Sequence, residues 1–182
     1  MRLRGKSFWL HFDDPVKWPM PTTVAKKVGI DLSSRKEGEL FKWFLACLLF
    51  GKPIQQEIAE RAYFRLVSAG LRKPDAVISA GWDRLVELLD EAHYVRYDFS
   101  TATKLLEVCQ ELEQRYGSMT KVIAQTRSGS ELSARLQEFK HIGPVTARIF
   151  TREVASIWYG HEVGGAPRRS PAKSSDLWTR IH

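Results

Sequence analysis

Cysteine is nearly absent: the 182-residue chain has two, Cys47 and Cys109. Two thiolates are too few for a four-thiolate iron–sulfur or zinc site. Both lie in apolar helical patterns, so they read as buried thiols. His11, His93, His161 and His182 show no metal-ligand spacing, and no metal or other cofactor is expected. No apolar run approaches the roughly 18 residues that would suggest a membrane span. The start, Met1-Arg2-Leu3-Arg4, leads into neither an uninterrupted apolar stretch nor a small-residue cleavage site, so a secretory leader is not expected. The expectation is a cytoplasmic monomer, nucleoid-associated if DNA is its partner. No segment keeps a period-two alternation for long, which argues against strands, and there is no internal repeat.

What remains is an ordinary globular composition, 43% hydrophobic and 27% charged, with its charge unevenly placed. The net charge is +7. Residues 1–36 carry eight Lys/Arg against three Asp, and residues 165–182 carry four against one, so the ends hold +5 and +3 and the middle sums to −1. Basic ends suit a phosphate-binding surface, although solvated tails would give the same count.

The pattern is helical from Lys36 onward. Residues 1–35, with Pro15, Pro19 and Pro21, read as an irregular segment with a short helix near Thr22–Val28. Phe41, Phe44, Leu45, Leu48 and Leu49, with Trp43, Ala46 and Cys47 on the opposite side, predict a helix buried nearly all round. Gly51 and Pro53 stop it. Ile58, Ala62, Leu66 and Val67 stripe the next helix, ended by Gly70. Lys73-Pro74-Asp75 opens a short helix, and Trp82, Leu85, Val86 and Leu89 stripe another. A long amphipathic helix over Phe99–Tyr116 closes at Gly117. Ser118 caps a short one, Gly129–Phe139 forms a further one, and Thr146–Trp158 another after the turn. The fold class is all-α. Three parts are expected: an N-terminal segment, 1–35, packing on a second lobe; a helical domain, 36–158; and a basic loop with a short terminal helix, 159–182. Trp43, Trp82 and Trp158 are core candidates.

The most informative stretch is Phe139-Lys140-His141-Ile142-Gly143-Pro144-Val145-Thr146-Ala147. It is a tight turn between two helices. Such a turn presents backbone N–H groups at a helix N-terminus, where a phosphate can bind. Gly143 has no side chain to hold a nucleic-acid backbone away, and Pro144 suits the first helical position. A plain αα-hairpin accounts for the same residues.

Residues 139–147 resemble the hairpin of the helix-hairpin-helix DNA glycosylases, the endonuclease III-like superfamily. That family's common form reads hydrophobic-Pro-Gly-hydrophobic-Gly-x-x-Thr-Ala. The likeness extends over roughly 38–158. Phe41–Leu49 and Ile54–Leu66 resemble the family's early helices, Leu85–Thr103 the segment that wedges into the duplex, and Phe99–Tyr116 the long helix before the hairpin. The resemblance implies two small helical lobes, double-stranded and possibly damaged DNA as partner, and DNA contacts from Lys140, His141, Ile142, Gly143, Pro144, Val145 and Thr146. It adds Lys52, in the turn where the family inserts a polar side chain; a surface lysine is the alternative. It also adds Tyr94, Arg96 and Tyr97, which read either as a helix-end cluster or as a wedge and phosphate contact. The basic loop contributes Arg168 and Arg169.

The chain departs from the family's pattern in three places. His141 replaces the hairpin's first glycine, a substitution that histidine's tolerance of left-handed backbone accommodates. Val145 stands where bifunctional members carry the Schiff-base lysine, so no lyase activity is expected. The family's catalytic aspartate follows the hairpin by about twenty residues, yet 160–168 holds no Asp. Asp176, in Ser174-Ser175-Asp176-Leu177-Trp178, is the candidate catalytic acid, or simply a helix cap; Glu162 and Glu153 stand behind it. Three functions compete: a monofunctional base-excision glycosylase that flips a damaged base into a pocket, a non-catalytic lesion- or structure-sensing DNA-binding protein, and an all-α interaction protein whose basic ends are incidental.

Overall fold

The structure is a computed structural model describing residues 23–160. The regular secondary structure of the described residues is entirely helical. In chain order they form α1 (Val24–Lys27), a single turn of 3-10 helix (Leu32–Ser34), α2 (Glu37–Phe50), α3 (Gln56–Ser68), α4 (Pro74–Glu91), α5 (Asp98–Arg115), α6 (Met119–Ala124), α7 (Gly129–Gln137) and α8 (Pro144–Trp158). None of them is long and apolar enough to cross a membrane.

Helix α2 is the axis of the fold because its sequence leaves it no polar face. Leu40, Phe41 and every residue from Trp43 to Leu49 are buried. A helix apolar all round has to be surrounded, and α2 packs on α3, α5, α6 and α8. The neighbours divide into two groups. On one side α3 packs on α4 and α4 lies along α5; on the other α6 packs on α7 and α7 lies along α8. One cluster of buried side chains runs through both groups, from Ala25 to Val154. Phe44 meets Phe139 and Phe150 edge-on, with ring centroids 6.4 and 5.8 Å apart, an arrangement aromatic pairs favour. Cys47 and Cys109 are both free and buried in this cluster.

Two helix starts, those of α6 and α1, are supplied by distant carboxylates. Glu37 accepts the N–H groups of Met119 and Thr120, at 2.9 and 2.7 Å, and so caps α6 together with Ser118. Glu153, buried in α8, accepts those of Val24 and Ala25, at 2.8 and 3.1 Å, and caps α1. Residues 23–35 are thereby joined to α8 and share its core.

The aromatic placements differ in part from expectation. Trp43 is fully buried, and its Nε1 donates to the Phe150 carbonyl at 3.4 Å. Trp158 is half-buried, with the Arg35 guanidinium 5.5 Å from its ring centroid. Trp82 is not a core residue: 38% of it is exposed. The reason is Gly81, whose φ of 74° breaks α4 into two arms. Trp82 opens the second arm and so stands at the outer end of the stripe that continues through Leu85 and Leu89.

Candidate nucleic-acid interface

The hairpin forms between α7 and α8 with His141, not a glycine, in the left-handed conformation, φ 69°. Gly143 is the N-cap of α8 in extended backbone and Pro144 is its first residue. A Cβ built on Gly143 would meet nothing within 4 Å, so this glycine leaves open space in front of the helix. No side chain caps α8. Among the described residues, the N–H groups of Gly143, Val145 and Thr146 donate to no protein acceptor; the first bond of the helix runs from Ala147 N to Gly143 O, 3.1 Å. Uncapped amides and the positive end of a 15-residue helix together favour an anion.

The α2–α3 turn is pressed against this helix start. A Cβ on Gly51 would fall 2.2 Å from the Thr146 hydroxyl. Only glycine admits that approach, and it puts Lys52 in the turn beside the first turn of α8. The Lys52 ammonium lies 5.6 Å from the Tyr97 ring centroid, and the Arg96 guanidinium lies 5.5 Å from the same ring. Neither cation is paired with an acid among the described residues.

A third cation lies beneath them. Lys104 of α5 is only 5% exposed, and its Nζ donates to the Leu48 carbonyl at 3.3 Å. Burial, and then the charge of Lys52, lowers its pKa to about 8. The Tyr94 hydroxyl donates to the neighbouring Leu49 carbonyl at 2.8 Å. Two side chains thus satisfy the open carbonyls at the end of α2 and fix the Gly51–Lys52 turn.

The other flank of the hairpin is neutralised from within. One Glu107 oxygen takes both the Lys140 ammonium, at 2.7 Å, and His141 Nε2, at 2.6 Å. These two groups hold the Glu107 carboxyl below its usual range. Glu111 accepts the Lys140 backbone N–H at 3.0 Å and pairs with Arg115.

The candidate residues therefore separate by position. Gly143, Pro144 and Val145 are exposed at the start of α8, with Lys52 in the adjoining turn and Tyr97 and Arg96 next to Lys52. Lys140 and His141 are at the surface but engaged by Glu107. Three expected contacts are interior. Tyr94 is 0% exposed, because its hydroxyl is needed on α2. Thr146 is 4% exposed against Gly51. Ile142 is 5% exposed and its amide is used on the Phe139 carbonyl, 3.2 Å. None of these three side chains offers a surface to DNA. Glu153 is spent on α1. Asp176, Glu162, Arg168 and Arg169 lie outside the described residues.

Glu107, Glu111 and Lys104 were not among the sequence candidates. Each sits in the amphipathic pattern of α5, where a charged residue reads as solvated, and their partners are 29 to 56 residues away in sequence. No known protein family, characterised protein or solved structure matches the chain. The resemblance to helix-hairpin-helix glycosylases accordingly stands on residues 139–147 and the order of helices around them.

Proposed function

We propose that this protein binds double-stranded DNA, with a backbone phosphate seated on the start of α8 and the flanking strand following Lys52 and Arg96. The observation that carries the reading is the uncapped helix start at Gly143 with two acid-free cations beside it. A phosphate there meets N–H donors, a helix dipole and two positive charges at once. The bonds go to the sugar–phosphate backbone, so they position the duplex and carry no base sequence.

Within that reading, the hairpin's likeness to the glycosylases supports base excision, with Asp176 as the pocket acid. Loss of a base builds positive charge on the sugar, which a fixed carboxylate stabilises. Val145 supplies no amine, so the product is an intact abasic site. One observation favours the second reading, a DNA-binding protein without catalysis. The acids that touch the hairpin or α8 among the described residues, Glu107, Glu111 and Glu153, are all engaged in structural bonds.

Fluorescence anisotropy against salt tests the binding. Lys52→Ala with Arg96→Ala should lower duplex affinity and reduce the log–log salt slope by nearly 2, at about 0.9 for each phosphate that is no longer neutralised. An unaltered slope removes this surface as the DNA-binding face. A panel of duplexes carrying uracil, alkylated and oxidised bases, run with wild type and Asp176→Asn, tests the chemistry. Base release by wild type and not by the variant assigns Asp176; equal rates exclude it.

A further inference from the structure

The α4–α5 corner carries the largest apolar exposure among the described residues, and its geometry is specific. Val95 is 61% exposed, Phe99 60% and Trp82 38%. The Trp82 and Phe99 rings are stacked, 25° from parallel with centroids 5.5 Å apart. The pair is held in place: Trp82 Nε1 donates to Thr103 Oγ1 at 3.0 Å, and Thr103 Oγ1 in turn donates to the Phe99 carbonyl at 3.0 Å. A fixed, open aromatic stack does not serve the core.

Its position relates it to the DNA surface. Phe99, Thr103 and Glu107 follow one another at four-residue spacing along one face of α5. Glu107 is where the hairpin's Lys140 and His141 attach. Eight residues of helix place the stack about 12 Å from that attachment. At the other end, Arg96 and Tyr97 immediately precede α5. Along the chain, Phe99 therefore falls between Arg96 and the Glu107 attachment of the hairpin. Asp83, beside Trp82, and Asp90 are exposed acids on the α4 side. A phosphate is repelled from that side and drawn to Arg96 and Lys52, which leaves the rings facing a neutral, flat group.

We infer that the Trp82–Phe99 stack is a platform for an unpaired nucleobase of DNA whose backbone lies on the Lys52–Arg96–α8 surface. The inference rests on the DNA-binding reading and adds a preference to it: a strand with an unstacked base is bound more tightly than a fully paired one. Base-on-aromatic stacking is sequence-tolerant and amounts to about tenfold in affinity per base.

The test measures anisotropy with a fully paired 20-mer, the same duplex carrying one bulged adenine, and the single strand. Wild type should bind the bulged duplex about tenfold more tightly than the paired one. Trp82→Leu and Phe99→Leu keep apolar bulk without the ring; each should erase most of that preference and leave paired-duplex affinity unchanged. Trp82→Phe should restore it. Equal binding of bulged and paired duplexes by wild type overturns the platform while the DNA-binding reading stands. An equal drop on all three DNAs in the Leu variants, with an unchanged melting temperature, also overturns it. Self-association of the wild type that the Phe99→Leu variant abolishes would assign the face to a second copy instead. Binding to none of the DNAs overturns the parent reading, and the platform with it.

Discussion

Helices α6 and α8 begin in opposite ways. The start of α6 is closed by its own Ser118 and by Glu37, reaching in from α2. The start of α8, a longer helix with a stronger dipole, has no cap, an open space at Gly143 and two cations beside it. At α6 a carboxylate is supplied to the amides. At α8 positive charge is supplied instead, which stabilises nothing until an anion arrives. The starts of α2, α3, α4 and α5 also lack a side-chain cap, so what sets α8 apart is the open space at Gly143 and the cations near it, unpaired among the described residues.

The comparison breaks most severely at Gly51. Adding one methyl in Gly51→Ala forces either the Thr146 hydroxyl or the α2–α3 turn to move. Overpacking of this kind costs about 2 kcal/mol, or roughly 5 °C in melting temperature. Combining it with Thr146→Ala should recover part of that stability, and calorimetry on the two single variants and the double variant reads the non-additivity. Full additivity would mean that the turn does not rest on α8.

Exchanging the two kinds of start sharpens the contrast. Gly143→Asp gives α8 a cap of its own in backbone that accepts it, φ −92°. It should leave the melting temperature equal or slightly raised, while duplex affinity falls about tenfold because a carboxylate occupies the phosphate position. Glu37→Ala should do the reverse, costing about 1 kcal/mol of stability with DNA affinity intact. If both variants lose affinity in proportion to their stability, α8 is no different from α6.

The smallest effect is a pH dependence. Lys104 has a folded-state pKa of about 8, below the ordinary lysine value of 10.5. Between those two values the unfolded chain holds the proton more than the folded chain does, so this group makes stability rise with pH across that window. Below about 8 both states are protonated and the fold carries the full cost of the buried charge. Melting curves from pH 7 to 10 should show the rise, and Lys104→Met should flatten it. A wild-type profile that matches the variant's would place Lys104 in water.

Much of the helical order was legible in the sequence. Leu45, Leu48 and Leu49 with Cys47 marked α2 as surrounded, and the stops at Gly51, Gly70 and Gly117 follow from local chemistry. The site was legible only in outline. Ile142, Thr146 and Tyr94 lie in or beside turns, where periodicity is lost and nothing local says which way a side chain points. Trp82 was misplaced because it is the first residue after the Gly81 break, and a stripe does not say where along its length the core ends. The bonds of Glu37, Glu107 and Glu153 could not be read, and Glu153 reads as a reserve acid instead, since their partners are 34 to 129 residues distant and a carboxylate on an amphipathic helix resembles any solvated acid.

The left-handed His141 has a consequence for how this surface would respond to its medium. An L-residue held at φ 69° stores about 1 kcal/mol that glycine would not, and the bond to Glu107 is what offsets it. The bend is thus held through a side-chain bond to Glu107, which also pairs with Lys140, instead of by backbone permissiveness. Dissolved electrolyte would then act in two places, opposing the counterion release that any phosphate contact at α8 would draw on and screening the Lys140–Glu107 pair beside it.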